Sequence, residues 1–238
     1  MSEGLSRKRA LRSFARRLGV AEGAAESGLL DTALTHDSYA AEKGGRASNE
    51  RLEFLGDAVL GAVVSHALYL RHTDQPEGML SRLRAAVVSR NALAQAAQRL
   101  EIAPLLLLGR GETAAGGAER PSILAAALEA IIGAVYLSEG LDASRRFIER
   151  HHLAHVEPSD VIDPKTALQE YAQAKYKKAP HYAIAAQRGP SHARVFTVSV
   201  SVAGKTVGSG EGATKKQAEA AAARAALAKI GPQRSNRT

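Results

Sequence analysis

Cysteine is absent from this chain of 238 residues. Disulfides and thiolate metal ligands are therefore excluded, which is consistent with a reducing compartment without proving one. Long apolar runs are also scarce. The longest, Ile123–Leu137, carries Glu129 and falls short of a membrane span, so no transmembrane segment is expected. The arginine-rich stretch Met1–Gly19 has no uninterrupted apolar core and does not read as a signal peptide. Together these absences predict a soluble, cytoplasmic protein. Two familiar site patterns are missing too. The glycine-rich segment Gly109–Gly117 lacks GxxxxGK[ST] spacing and follows no convincing strand, so it reads as a loop and not as a nucleotide site. His151, His152 and His155 form HHxxH, not HExxH, with no acidic base between them; a solvated helix end is expected there in preference to a zinc site.

What is present is charge, unevenly placed. The net charge is +8 and the pI near 9.9. From Asp163 onward there are 13 Lys+Arg against 4 Asp+Glu, whereas the preceding part holds 19 against 20. The basic excess belongs to the C-terminal third, the part suited to a polyanion. The longer N-terminal part is the place to look for acidic chemistry.

The densest acidic pattern is Asn49–Leu60, NERLEFLGDAVL. Read as a helix at about 100° per residue, it places Glu50, Glu53 and Asp57 within roughly 60° of one another. Leu52, Leu55, Val59 and Val63 gather opposite. Like charges at i, i+3 and i+7 oppose helix formation, and no basic residue lies among the three. A hard divalent cation is the usual partner for such a cluster; a solvated acidic face is the plainer alternative.

Around this helix the pattern predicts a helical N-terminal part. Leu5, Leu11, Phe14, Ala15 and Leu18 mark an amphipathic helix over 5–18, and Leu29–Tyr39 a short one. Ser48 or Asn49 is placed to cap the acidic helix, which continues to about Arg71 through Val59, Ala62, Val63, Ala67 and Leu70. Met79–Leu100 reads as one or two helices. Ile123–Leu137 is apolar almost all round, as in the middle of a bundle, and Leu141–Leu153 is a last amphipathic helix. A buried, unpaired Glu129 would be costly, so it must meet a cation, a hydrogen bond or an opening.

Glu157–Asp163, closed by Pro164, reads as a linker. A helix over Thr166–Lys175 follows, then strands at His181–Gln187, Ala193–Val202 and Lys205–Gly210. Ala203-Gly204 predicts a tight hairpin. Thr214 with Gln217 forms a capping box for a helix over Lys215–Ile230. The organisation expected is an all-α domain at 1–156, a linker at 157–162, a small α+β domain of α-β-β-β-α order at 163–232, and a disordered polar tail at 233–238.

Several segments together resemble bacterial ribonuclease III. NERLEFLGDAVL looks like the family's signature motif. It is supported by ALTHDSY at 33–39, EGMLSRLRAAVVS at 77–89, LGRGE at 108–112 and SILAAALEAIIGAVYL at 122–137. The C-terminal part is similar to a double-stranded RNA-binding domain in ALQEYAQ at 167–173, GPSHARVF at 189–196 and GEGATKKQAEAAAARAAL at 210–227. The resemblance implies a helical nuclease domain that forms a homodimer and cleaves double-stranded RNA. Mg²⁺ would be the cofactor, with Mn²⁺ as a substitute. The ends left would be 5′-phosphate and 3′-hydroxyl, in processing of rRNA, mRNA or tRNA precursors.

By the same resemblance, Asp57 and Glu129 correspond to the catalytic pair, Glu53 and Glu129 to metal ligands, and Glu50 to an acidic residue at the edge of the active centre. Gln169, Glu170, Pro190, Ser191 and His192 would face RNA minor grooves, which in A-form duplexes are read by shape. Lys215 and Lys216 would meet phosphates at a helix start.

At one position the pattern breaks. The family carries an aspartate three residues before the glutamate equivalent to Glu129, and here that residue is Ala126. Alanine favours the helix but offers no ligand. A naturally degenerate nuclease would be expected to have lost other motif residues as well. The survival of Glu50, Glu53, Asp57 and Glu129 favours a single inactivating change on an otherwise complete site. The rival functional reading is a non-catalytic dimer that binds and protects duplex RNA; a third is a helical scaffold that binds none.

Overall fold

The chain divides into two units, Met1–Pro158 and Ser159–Thr238. The structure is a computed structural model that describes residues 2–156, 164–190 and 194–230. The expected linker, Ser191, His192 and the expected tail lie outside those residues. The first unit is helical: α1 (Ser2–Leu18), α2 (Glu22–Glu26), α3 (Leu29–Ala33), α4 (Asp37–Glu42), α5 (Glu50–Arg71), α6 (Glu77–Val87), α7 (Arg90–Arg99), α8 (Arg110–Ala114) and α9 (Pro121–His151). The second unit runs α10 (Pro164–Tyr176), β1 (His181–Arg188), β2 (Val195–Val202), β3 (Lys205–Gly212) and α11 (Lys215–Ile230), with an antiparallel sheet of order β1-β2-β3. All-α followed by α+β is the fold class that the hydrophobic periods imply.

The first unit is built on α5 against α9. Leu52, Val59, Leu60, Val63 and Val64 of α5 are buried, and from Ile123 to Val135 every residue of α9 is buried except Ala126 and Glu129. The two helices meet backbone to backbone. A Cβ added to Gly56 would lie 1.7 Å from the carbonyl oxygen of Glu129, and one added to Gly133 would lie 2.3 Å from that of Leu52. Only glycine fits either position. By length and composition α5 and the segment Pro121–His155 would each be able to cross a membrane, contrary to the expectation drawn from uninterrupted runs alone. Here each covers the other's apolar side.

Several local expectations need correction. The predicted helix over Leu29–Tyr39 is two helices, because Thr35 leaves the helical path to pair with Leu107 in a parallel bridge. Leu5 is 70% exposed and Leu70 60% exposed, although their spacing assigns both to buried faces. The glycine-rich loop contains α8. The break between the last two predicted helices is present: Gly140, with φ of 81°, leaves the helical path inside the span labelled α9. The histidines are not a solvated helix end: His152 is buried with Nε2 2.8 Å from the Val87 carbonyl oxygen, and His151 Nε2 lies 2.8 Å from that of Leu18. Burial lowers both pKa values, outweighing the opposing backbone hydrogen bonds.

In the second unit, Leu168, Ala172, Val198, Val200, Val202, Ala218, Ala222, Ala223 and Ala226 form the core. Gly208, Gly210 and Gly212 of β3 lie against the alanines of α11; a Cβ on Gly210 would come within 2.2 Å of the Ala222 nitrogen. The capping box forms as expected, with Thr214 Oγ1 accepting from the Gln217 amide at 3.2 Å and Gln217 Oε1 accepting from the Thr214 amide at 3.1 Å. The hairpin at Ala203-Gly204 has φ of 51° and 82°, the pair of positive values that a two-residue turn requires.

The α5–α9 contact predicts the response to a single methyl group. Gly56→Ala forces the helices apart and should destabilise the first unit by about 3 kcal/mol, the upper range for overpacking. Gly78→Ala, with nothing within 4 Å of its added Cβ, should leave stability within about 1 kcal/mol. Denaturant titration followed by circular dichroism distinguishes the two.

Candidate active site

The acidic stretch folds as its period predicts, into the first two turns of α5. Asn49 stands at the N-cap position but is 3% exposed and makes no side-chain cap. Its amide instead donates to the Thr35 carbonyl oxygen at 2.8 Å, fixing the start of α5 to the α3–α4 turn. Ser48 Oγ lies 2.9 Å from Glu50 Oε2. Glu50 and Asp57 are exposed and Glu53 is half-buried. Gly56 lies between Glu53 and Asp57, and Glu129 is one turn before Gly133. The glycine contact therefore sets carboxylates of α5 and α9 on either side of one crossing point.

Their mutual influence is visible in their acidities. The Glu129 carboxyl is pushed up to about 7, first by burial and then by the charges of Asp57 and Glu53. Glu53 is also raised, by burial, then by Glu50, with Asp57 adding to it and His36 opposing. Ala126 and Glu129 are the two partly open positions on the otherwise buried stretch of α9, so position 126 opens on the same side, one turn earlier.

The donor chemistry is hard oxygen throughout, the kind that suits Mg²⁺. Among the described residues no three His, Asp or Glu side chains form a group that could enclose a metal ion by themselves. Mg²⁺ keeps several waters and needs only one or two carboxylates, so the residues present fit such an ion as a partly hydrated guest. The spacing on α5 and the apolar setting of Glu129 pointed to these residues; their meeting depends on the crossing.

His36 belongs to the same neighbourhood, and sequence reasoning missed its role. It caps α4 through Nδ1, which accepts from the Ser38 amide at 3.3 Å, and its charge acts on Glu53. A second set of bonds holds it there. The Gly109 amide donates to Ser38 Oγ at 3.0 Å, the Arg110 amide to Glu42 Oε1 at 2.8 Å, and the His36 amide to the Leu107 carbonyl oxygen at 3.0 Å. The only signal for it in the sequence was its place in the segment ALTHDSY.

In the second unit, Gln169 is exposed and Glu170 half-buried on α10, Pro190 is exposed after β1, and Lys215 and Lys216 are exposed in the first turn of α11. The helix N-terminus and the two ammonium groups favour an anion at the same place.

Residues 26–156 match the family described as Ribonuclease-III-like, and residues 164–230 match the double-stranded RNA binding motif. The protein called Ribonuclease 3 in Streptomyces coelicolor is 48% identical over 209 residues, covering 86% of this chain and 75% of its own length. That of Thermobifida fusca is 49% identical over 202 residues, covering 83% and 84%. Among solved structures, the nuclease domain of ribonuclease III from Campylobacter jejuni is 39% identical with a TM-score of 0.55. It covers 59% of this chain and 94% of that one, and is described for flexibility in a region involved in dimer formation.

The raised pKa of Glu129 has a consequence for stability. Between about pH 4.5 and 7 the native chain holds a proton on Glu129 that the unfolded chain has released. Stability conferred by this group is therefore full below pH 4.5 and is lost as pH rises through 7. Glu129→Gln should remove that loss, so its denaturation midpoint at pH 8 should exceed that of the parent, with the two closer at pH 5. Equal pH dependence in both proteins would refute the assignment.

Proposed function

Since the chain belongs to the ribonuclease III family, we propose that it is an Mg²⁺-dependent endonuclease of double-stranded RNA whose cleavage is held down by Ala126. The supporting observation is that the Gly56–Gly133 contact sets Glu129 against Glu53 and Asp57, on two helices, where burial and then the charges of Asp57 and Glu53 raise the Glu129 pKa. Glu53 and Glu129 would hold the ion in partly hydrated form, with Mn²⁺ as a substitute, Asp57 beside them and Glu50 at the edge. When bound, the ion supplies an activated water and charge stabilisation for the departing 3′-oxygen.

The chain's own residues set the conditions for this. Burial and its acidic neighbours keep a proton on Glu129 near neutral pH, a proton that Glu129 would give up on serving as a ligand. Asp57 and Glu129 act as the catalytic pair. Ala126 places a methyl group at the other opening of α9, where a carboxylate would complete the ring, so fewer ligands orient the ion and the scissile phosphate. The products would carry 5′-phosphate and 3′-hydroxyl ends.

Duplex RNA would be gripped by the second unit. Gln169, Glu170 and Pro190, with Ser191 and His192, would lie along minor grooves, and Lys215 and Lys216 against phosphates. A second copy of the chain would cover the outer side of α5. There Phe54 is 81% exposed and Tyr69 69% exposed, with Ala58 and Ala62 exposed between them at helical spacing. Such a continuous apolar stripe on a soluble protein marks an interface. The non-catalytic binder remains the second reading, favoured by Ala126 alone; a pure binder has no need of the remaining acidic trio.

Ala126→Asp is the decisive variant. It should raise Mg²⁺-dependent cleavage of a long RNA duplex by about a hundredfold or more. A restored protein that still cannot cut overturns the nuclease reading, and equal rates make position 126 irrelevant. Phe54→Asp should shift the chain from dimer to monomer in light scattering at micromolar concentration; a dimer of unchanged affinity would exclude this stripe as the interface.

A further inference from the structure

A cavity of about 480 Å³ lies between α1, α2, α3, α4 and the segment that leads into α5, its charged lining supplied by Arg7, Lys8, Glu26, Asp31 and Arg46. Asp31 organises it. Arg7 Nε donates to Asp31 Oδ1 at 2.9 Å, Arg46 pairs with the other carboxylate oxygen, and Arg7 Nη1 donates to the Leu105 carbonyl oxygen at 2.7 Å. Glu26, the other acid on the wall, is met by Arg12 at 3.3 Å. Lys43 and Arg46 both stack on Tyr39, 5.5 and 5.8 Å from the ring centre. Five cations thus surround two carboxylates, in a unit whose remaining surface includes the acidic site.

Two donors are left over. Arg7 Nη2 is buried without a hydrogen-bond partner among the described residues, and Lys8, the next residue of α1, is exposed and lines the same cavity. A guanidinium edge held rigid by its other nitrogens, with an ammonium group beside it, is a fitted receptor for a tetrahedral oxyanion. The pocket is also tied to the acidic helix. Thr35 Oγ1 donates to the Asp31 carbonyl oxygen at 2.7 Å, and the Thr35 carbonyl oxygen accepts from the Asn49 amide at the head of α5.

We propose that this pocket binds a phosphate group of the RNA duplex on the nuclease unit itself, outside the carboxylate site. The inference rests on the reading that the chain binds duplex RNA. Its physical role would be to oppose the repulsion between RNA phosphates and the carboxylates of α5 and α9, so that a strand can approach them before a metal ion has neutralised the site.

The test uses the full chain, a fluorescently labelled RNA duplex and binding by anisotropy over a series of KCl concentrations. Lys8→Ala and Arg46→Ala should each weaken binding about threefold to tenfold and reduce the slope of log K against log salt by about one, the loss of one phosphate contact. Arg46→Lys should retain most of the affinity. Lys8 makes no ion pair among the described residues, so its variant reports on binding even if Arg46→Ala lowers stability. Duplexes with 5′-phosphate and 5′-hydroxyl ends separate the sources: a loss confined to the phosphorylated duplex identifies a terminal phosphate, and an equal loss on both identifies the backbone. Unchanged affinity and slope in both alanine variants, with parental binding intact, overturn the inference alone. A parent chain that binds no duplex overturns the functional reading and the inference with it.

Discussion

The close contact of α5 with α9 at Gly56 and Gly133 is the constraint on which the rest of the first unit depends. Helices ordinarily pack with axes about 8–10 Å apart, separated by their side chains. Here a carbonyl oxygen of each helix occupies the space that a Cβ of the other would need. Because Glu53 and Asp57 flank Gly56, and Glu129 lies one turn from Gly133, the same contact that closes the core brings the carboxylates into mutual range. Stability and site geometry are therefore coupled at two glycines.

That coupling has an electrostatic cost, visible in the raised pKa values of Glu53 and Glu129. Within the first unit, groups of opposite charge stand nearby. His36 acts on Glu53 from the α3–α4 turn, and the Arg7–Asp31–Arg46 network stands at the head of α5. The second unit uses the same packing device as the first, with glycines of β3 against alanines of α11. Small residues there let a helix lie close on a sheet, and the larger fully buried side chains are Leu168 of α10 and Val198, Val200 and Val202 of β2.

Much of this was legible in the residues themselves, and the failures have identifiable causes. The extent of α5, the capping box at Thr214 and the hairpin at Ala203-Gly204 are all local, set by neighbours a few positions away, whereas the gap at Ala126 was visible only through the family resemblance. The division of the segment Leu29–Tyr39 was not legible, because Thr35 pairs with Leu107 far along the chain. Leu5, Phe54 and Leu70 are apolar but exposed, and periodicity does not distinguish a buried face from one awaiting a second copy. His152 was read as solvated, since nothing near it in sequence announces the Val87 carbonyl oxygen that receives it.

By itself the sequence determined the helices and strands, the separation of acidic from basic territory, the stacking of Glu50, Glu53 and Asp57 on one side of α5, and the absence of a carboxylate at position 126. These follow from backbone periods and composition, which act over a turn or two. Only the tertiary structure decided that Glu129 faces Glu53 and Asp57 from more than seventy residues away, that its carboxyl is held near 7, and that Arg7, Lys8 and Arg46 enclose one cavity. Those properties depend on which surfaces can approach most closely. At the centre of the first unit that was settled by the lack of a side chain at Gly56 and Gly133.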